Sequence, residues 1–273
     1  MNKKILLIND LPGYGKVALS AMFPVLSHMG YDLFNLPTAL VSNTLDYGKF
    51  DILETTGYMK NTIAVWEELG FSFDAIATGF IVSQDQVSLV TDYCMAQTAK
   101  GTKIFVDPIM GDDGKLYNGI TDKTVQYMKD LCSVADYLVP NHTEASFLTG
   151  AEYREDGVNY EEAGDLVDDL RELGAKSVVI TSLKIDGEMS VMGYDNVKDE
   201  YFTIPFQMIP IRFPGTGDIF SAVMMGKVLS GLSLKESVGS AMDYVRDLIE
   251  LNRDNLDKFK GIPVEAWLSR MDV

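Results

Sequence analysis

The sequence predicts an α/β protein with a mostly parallel central sheet, helices on both faces of the sheet and an antiparallel hairpin at its edge. Short apolar runs rich in β-branched residues alternate with segments of helical period. After residue 185, two strand-like runs, EMSVMGYD and EYFTIPF, flank a polar Asn-Val-Lys-Asp turn, as in a hairpin. With 273 residues and 47% hydrophobic content, the chain can bury a sizeable core. We expect a single domain over residues 1–273, since no repeat or low-complexity linker interrupts it.

The individual elements follow from apolar periodicity and from the turn residues between them. Strands are predicted at residues 4–8, 33–40, 75–78, 103–106, 137–139 and 177–181. Helices are predicted at residues 17–29, 56–69, 84–100, 122–131, 144–148, 160–173, 217–229 and 234–252. Ligands of such sheets bind beyond the carboxyl ends of the parallel strands, so the residues after each strand are the first candidates for a site.

Composition excludes several classes of function. The chain carries 40 acidic and 23 basic residues, a net charge of -17, which argues against binding to nucleic acid or to an anionic membrane. Its two cysteines and two histidines lack the spacing of a zinc site or a disulfide framework. The first apolar run, residues 5–8, is too short for a signal sequence or a membrane span. We therefore expect a cytoplasmic protein.

The stretch FPGTGDIF, residues 213–220, predicts an anion-binding helix N-terminus. Gly215 and Gly217 carry no Cβ atoms, so the backbone amides of the turn can approach a phosphate, and the helix that starts there adds its positive end. Asp218 follows directly. It either supports the helix N-terminus or accepts a proton from an attacking hydroxyl beside the bound phosphate.

A second candidate is IFVDPIMGDDGKLY, where a strand ends at Val106 and Asp107 follows at its carboxyl end. Pro108 lacks an amide donor and terminates the strand. Asp112 and Asp113 stand in a glycine-flanked turn, and a solvated loop is the simplest interpretation of this turn. Their spacing does not match a calcium-binding EF-hand loop.

The third candidate is PNHTE, in which Asn141 precedes Glu144 by three residues after a strand. This pattern is typical of a helix capping box. It also suits an outer-shell pair of ligands for Mg²⁺, which keeps several waters and needs only one or two carboxylates. Thr181 and Ser182, at the end of the strand SVVIT, either donate to phosphate oxygens or form a turn.

Taken together, these segments contain the parts required for Mg²⁺-dependent phosphoryl transfer to an alcohol. The alternative nucleotide motifs fail. A dinucleotide fingerprint would need a further glycine where Phe220 stands, and a P-loop would need glycine at Asp10 and Ser or Thr at Val17.

The ordered set VDPIMGDDGKLY, PNHTEASFLTG, VVITS and FPGTGDIFSAVMMG resembles the pyridoxal kinase branch of the ribokinase-like superfamily. The N-terminal segments ND-x-x-GYGKVA and LPTALVSN-x-x-x-YGKF extend this resemblance over nearly the whole chain. It implies a ribokinase-like three-layer sandwich, ATP and Mg²⁺ as cofactors, and assembly as a homodimer. Phosphorylation of the 5′-hydroxymethyl group of a vitamin B6 vitamer, in pyridoxal phosphate salvage, is the implied activity.

The same resemblance assigns roles to residues of this chain. Asp218 would take the proton from the hydroxymethyl group, and the amides of Gly215, Thr216 and Gly217 would stabilise the transferring phosphoryl group. The implied substrate-binding residues are Asp10, Thr38, Phe80 and Asp218. Those implied for ATP are Asp107, Asp112, Tyr117, Asn141, Thr181, Ser182 and Gly217, and those for the metal are Asp107 and Glu144.

Three positions differ from the common pattern of pyridoxal kinases. Asp10 and Leu11 replace a Ser-His pair, Phe80 replaces a tyrosine, and Val139 stands where some relatives place a threonine beside a monovalent cation, which leaves K⁺ use open. An aspartate at position 10 is shared with hydroxymethylpyrimidine kinases, the main alternative. A non-catalytic nucleotide-binding protein and a sugar or nucleoside kinase are further alternatives. The intact Asp218 and the apolar Leu11 argue against these two.

Overall fold

This computed structural model describes residues 2–117 and 120–271 of the chain. Its backbone contacts divide the chain into two compact units. Unit 1 comprises Met1–Ala77 and Ile209–Val273, and unit 2 comprises Thr78–Met208. The expected single domain over residues 1–273 stays a prediction.

Among the described residues, the strands are β1 (Lys4–Pro12), β2 (Asp32–Val41), β3 (Ile52–Glu54), β4 (Ala75–Thr78), β5 (Lys103–Val106), β6 (Gly111–Asp112), β7 (Lys115–Leu116), β8 (Tyr137–Leu138), β9 (Ser177–Ile185), β10 (Glu188–Asp195) and β11 (Glu200–Pro205). The α-helices are α1 (Ala18–His28), α2 (Thr56–Glu68), α3 (Gln84–Thr98), α4 (Asp122–Cys132), α5 (His142–Thr149), α6 (Tyr160–Glu172), α7 (Thr216–Ser230) and α8 (Leu234–Leu251). Short 3-10 helices lie at Leu45–Tyr47 and Val264–Arg270.

In unit 1 the strand order is β4-β1-β2-β3. β1 and β2 run parallel, whereas the short β3 pairs antiparallel with β2. All four residues 5–8 of β1 are fully buried, which explains their unbroken apolar sequence, because a parallel strand covered on both faces has no solvent side. Helices α1, α2, α7 and α8 belong to this unit.

In unit 2 the strand order is β11-β10-β9-β8-β5. The pairs β5–β8 and β8–β9 are parallel, and β9, β10 and β11 form an antiparallel meander that ends at the sheet edge. The predicted edge hairpin is confirmed, with its turn at the Asn-Val-Lys-Asp segment. Helices α3, α4, α5 and α6 belong to this unit.

The fold class predicted from the sequence is confirmed: a mostly parallel mixed sheet with helices on both sides and an antiparallel hairpin. Three details differ from the prediction. β9 continues to Ile185 instead of ending at Thr181, α5 begins at His142 instead of Glu144, and the aspartate-rich turn after β5 is a small hairpin, β6–β7. In β9 the backbone pairing continues past Thr181 and Ser182, and in the β6–β7 hairpin Asp113 and Gly114 form the turn between two short strands.

Two strand pairs contain an extra residue close to predicted site residues. Between β1 and β2 the register shifts after Asn9, so that Asp10 lies opposite two residues of β2. Between β9 and β10 the register shifts between Ser190 and Met192, and Ser182 in β9 has a positive φ of 55°. Bulges of this kind re-aim side chains and are frequent beside active sites.

Within residues 2–117 and 120–271, no helix has both the length and the apolar character needed to cross a bilayer.

Candidate active site

The N-terminus of α7 in unit 1 is built by a left-handed glycine. Gly215 caps the helix with φ 85°, and a Cβ atom there would lie 2.0 Å from the carbonyl oxygen of Lys16. Only glycine fits this position, for both conformational and steric reasons. A Cβ atom on Gly217 would meet no described atom within 4 Å, so the space in front of the helix start is open to a ligand. The first turn of α7 therefore presents its backbone amides as the sequence predicts for an anion site.

Asp218 lies in this first turn and is partly buried. Its carboxylate accepts hydrogen bonds from the backbone amide of Ala18 and from its own amide, and from Asn9 Nδ2 at 3.4 Å. Burial raises the pKa of Asp218 to about 6, and these donors hold it from rising further. The group is thus ionised at neutral pH and weakly basic, as a proton acceptor requires.

Asp10 is the second carboxylate of this cluster. It stands near the end of β1, and its backbone amide donates to Asn9 Oδ1 at 3.0 Å. Burial, and secondly the negative charge of Asp218, raise the pKa of Asp10 to about 7. Because Asp218 has the lower pKa, it is already negatively charged when Asp10 titrates. This charge raises the pKa of Asp10.

Thr38 occupies a different environment from these carboxylates. It is fully buried on β2, where its carbonyl oxygen accepts the amide of Thr55 at 3.2 Å. A cavity of about 680 Å³ lies beside α1 in the same unit, and Leu11, Phe23 and Pro37 are among its lining residues. The described lining of this cavity does not include Asp10 or Asp218, so it is not part of the carboxylate cluster.

In unit 2, Asn141 and Glu144 form a complete capping box at the start of α5. Asn141 Oδ1 accepts the amide of Glu144 at 2.9 Å, and Glu144 Oε2 accepts the amide of Asn141 at 2.9 Å. Asn141 Nδ2 also donates to the carbonyl oxygen of Gly111 at 2.8 Å. These contacts are those of a helix capping box, as one interpretation of the sequence predicts. The side-chain amide of Asn141 also joins the start of α5 to the β6–β7 hairpin.

Glu144 is a buried carboxylate, 4% exposed, whose Oε1 accepts the amide of Met110 at 2.9 Å. Burial, and secondly the charge of Asp107, raise the pKa of Glu144 well above its usual range. A cation near these two carboxylates would relieve their repulsion. Among the described residues, however, no group of three or more His, Cys, Asp or Glu side chains can hold a metal ion. The pair fits a water-separated Mg²⁺ that arrives with its phosphates, and it does not fit a closed protein cage.

The β6–β7 hairpin carries the other predicted nucleotide residues of this region. Asp112 Oδ1 accepts the amide of Asp113 at 3.0 Å, and the amide of Tyr117 donates to Met110 at 2.9 Å. The amide of Gly114 donates to Thr143 Oγ1 at 2.9 Å. Asp112 is therefore part of a hairpin fixed onto α5, instead of the free loop expected from the sequence.

The remaining predicted residues of unit 2 lie on β9 and after β4. The amide of Thr181 donates to the carbonyl oxygen of Pro140 at 2.9 Å, which joins β9 to the residues that precede α5. Ser182 is exposed in the bulge of β9, and Phe80 is half-buried two residues after β4. Thr181 is thereby joined to Pro140, the residue before Asn141, and Asn141 is joined to the β6–β7 hairpin.

The structure thus collects part of the predicted set into one cluster in each unit, and the contacts that define the two clusters do not include Thr38, Phe80 or Ser182. Asp10, Asp218 and the α7 turn form the first, and the residues around Asn141 form the second. Sequence reasoning missed Asn9 and Ala18, both of which donate to Asp218. The position of Asn9 directly before Asp10 at a strand end was an available signal. Ala18, whose φ is 47°, contributes only a backbone amide and left no sequence signal.

Comparison with known proteins shows the family to which the chain belongs. The sequence profile of the phosphomethylpyrimidine kinase family matches residues 26–263. A pyridoxal kinase of Arabidopsis thaliana is 30% identical over 265 residues, which cover 93% of this chain and 82% of that protein. The chain belongs to this kinase family, on its pyridoxal kinase branch.

Solved structures of the family share the fold. A Bacteroides thetaiotaomicron protein, provisionally assigned as a phosphomethylpyrimidine kinase and crystallised with pyridoxal, is 33% identical with a TM-score of 0.94. The match covers 100% of this chain and 96% of that one. Pyridoxal kinase from Lactobacillus plantarum is 26% identical with a TM-score of 0.87, over 98% of this chain and 96% of its own. The predictions of a ribokinase-like fold and of a kinase are confirmed.

Proposed function

We propose that the chain transfers the γ-phosphoryl group of ATP to the 5′-hydroxymethyl group of a vitamin B6 vitamer. The observation that carries this proposal is Asp218, a carboxylate with a raised pKa in the first turn of α7, behind the left-handed Gly215. A hydroxyl acceptor needs a base within hydrogen-bond reach, and the transferred group needs fixed donors. The family membership and the pyridoxal found with the Bacteroides homologue support the substrate class.

In unit 1, Asp218 accepts the proton of the substrate hydroxyl. The amides of Gly215, Thr216 and Gly217 stabilise the charge on the transferring phosphoryl group, because they are aligned by the helix start before the reaction begins. Asp10 contacts the substrate ring, with Thr38 and Phe80 proposed as further ring residues. Since Asp10 titrates near neutral pH, it can accept or donate a hydrogen bond to the ring.

In unit 2, the nucleotide is held by polar groups of the hairpin and of the strand ends. Asp107 and Glu144 would hold the Mg²⁺ of a Mg²⁺–ATP substrate, and the ion would offset the negative charge of the phosphates. K⁺ use is tested by assays with and without K⁺, since Val139 has no side-chain oxygen for a monovalent cation. The residues proposed for the nucleotide are Asp107, Asp112, Tyr117, Asn141, Thr181 and Ser182.

The main alternative is phosphorylation of a hydroxymethylpyrimidine, since the family profile carries that name. It requires the same base and the same anion site, so the geometry does not separate the two acceptors. The relatives from Arabidopsis and Lactobacillus are named pyridoxal kinases, which favours a pyridine as the acceptor. We further propose a homodimer located in the cytoplasm, as the resemblance implies.

ATP consumption by the purified protein tests the proposal directly. Pyridoxal, pyridoxine, pyridoxamine and hydroxymethylpyrimidine are compared with Mg²⁺ present, using the wild type, Asp218→Asn and the control Asp254→Asn. Asp254 is an exposed carboxylate of unit 1 for which the sequence predicts no role. We expect turnover of at least one vitamer and a loss of kcat of about 10²-fold or more for Asp218→Asn alone.

The other outcomes have defined meanings. Turnover of hydroxymethylpyrimidine alone would show that the proposed substrate is wrong, and the proposed role of Asp218 would still stand. Equal rates for wild type and Asp218→Asn would contradict the proposed base. ATP binding without turnover of any acceptor would indicate a nucleotide-binding protein without this activity.

A further inference from the structure

We propose that Asn9 is a positioning residue that fixes the Asp218 carboxylate and favours its ionised form. This inference rests on the proposed function, because Asp218 acts there as the proton acceptor. Asn9 itself is not proposed to touch substrate, ATP or the transferred group.

The orientation of the Asn9 side chain follows from its neighbours. The residue is 2% exposed, on β1. Its Oδ1 accepts the backbone amide of Asp10 at 3.0 Å. Because a backbone amide can only donate, this contact requires the oxygen there and turns the NH₂ group toward Asp218. Nδ2 lies 3.4 Å from Asp218 Oδ1 and 3.7 Å from the sulfur of Met22.

Asn9 and Asp10 act on Asp218 in opposite directions. The amide of Asn9 donates to the carboxylate and stabilises its negative charge, whereas the adjacent carboxyl of Asp10 repels that charge once ionised. The other described groups that face Asp218 are the amide of Ala18 at the start of α1 and its own amide in α7. Asn9 is thus the one neutral side-chain donor among the described contacts of this carboxylate.

Two substitutions at Asn9 separate positioning from packing. Asn9→Leu keeps a similar volume and removes the donor. Asn9→Asp keeps the shape and places an acceptor where the donor was. We expect the acidic limb of the kcat profile to move upward by about half to one pH unit for Asn9→Leu, and further for Asn9→Asp. The KM for ATP should remain unchanged in both variants.

Met22→Leu is the matched control, because it replaces the other contact of the Asn9 amide and keeps the donor to Asp218. Its kcat profile should coincide with that of the wild type. A shift in Met22→Leu as large as that in Asn9→Leu would overturn the inference, since packing would then explain both.

A second measurement does not depend on activity. The Asp218 carboxyl is titrated by carbon NMR in protein labelled at aspartate carboxyls, and the resonance is assigned by its loss in Asp218→Asn. We expect its midpoint to rise in both Asn9 variants by the amount seen in the kcat profile. If both variants keep this midpoint within about 0.2 pH units of the wild type, Asn9 has no such role.

The two measurements distinguish the two proposals. A shifted NMR midpoint in a protein that phosphorylates no vitamer would support the role of Asn9 and contradict the proposed function. An unshifted midpoint in an active kinase would do the reverse.

Discussion

Asp10 and Asp218 titrate near neutral pH because burial outweighs the hydrogen bonds that each carboxylate receives. Their energetic effect is therefore opposite to that of an exposed carboxylate in an ion pair. A folded-state pKa above the unfolded value favours the folded state at low pH. This contribution is lost as the pH rises through the folded pKa.

Asp10→Asn should stabilise the folded protein at alkaline pH for this reason. The stabilising contribution of Asp10 is fully present below its unfolded pKa near 4 and disappears as pH rises through about 7. We expect the variant to exceed the wild type by about 1 kcal/mol in free energy of unfolding at pH 8, after allowance for solvent screening. Thermal unfolding at pH 5 and pH 8 provides the measurement. A variant less stable than the wild type at pH 8 would contradict this account.

At the scale of elements, the two glycines of the α7 turn serve different purposes. Gly215 is required by the fold, since its φ is 85° and a side chain would collide with Lys16. Gly217 meets no such restriction within the described structure. The space before Gly217 is needed only if a ligand occupies it.

The glycine pair gives a matched test of the anion site. Gly215→Ala should lower the free energy of unfolding by more than about 2 kcal/mol through strain and collision. Gly217→Ala should change stability by less than about 1 kcal/mol, since alanine favours helix, but should lower kcat by about 10-fold or more. Denaturant unfolding and steady-state kinetics decide the result. A fully active Gly217→Ala variant would remove the proposed phosphoryl site from this turn.

Equivalent Asn-x-x-Glu capping boxes stand at the starts of α5 and α6. Only the first box, with Asn141 and Glu144, belongs to the candidate site. We expect Asn141→Ala and the control Asn159→Ala each to cost about 1 kcal/mol of stability as lost N-caps. Only Asn141→Ala should raise the KM for ATP. An equal rise in both variants would show that the box at α5 is purely structural.

Sequence patterns predicted β4 and β5 to the residue, because each is an apolar run bounded by polar residues. The patterns did not predict the features that depend on backbone geometry alone. Ser182 suggests a turn by its chemistry, but a bulge lets β9 continue past it. β6 and β7 are too short for any periodicity. The site residues were predictable where a side chain acts, as at Asp218, and unpredictable where an amide acts, as at Ala18.

At the scale of the whole molecule, the net charge of -17 opposes the approach of an anionic substrate. The proposed nucleotide must reach its site against this field. Local donors such as the α7 amides counter the field only at short range. The long-range part of the repulsion is screened by salt.

Added salt should therefore help the reaction. Raising ionic strength from about 0.01 M to about 0.15 M shortens the screening length from about 30 Å to about 8 Å. We expect the KM for ATP to fall by about two- to threefold over this range, while the KM of an uncharged vitamer stays constant. Tetramethylammonium chloride as the salt avoids any effect of K⁺. A rising KM for ATP would mean that local positive charge dominates.

The extra residue of β2 opposite Asp10 makes chain length itself a determinant of activity. Asn9 pairs with Pro37, but Leu11 pairs with Leu40, so two residues of β2 face a single residue of β1. Deleting Ala39 would let the two strands pair evenly, with Leu40 still opposite Leu11. It would also remove the bend that the bulge gives the backbone beside Asp10. A mutant library that shortens or lengthens this strand should consequently yield well-folded but inactive proteins more often than one that only exchanges its side chains.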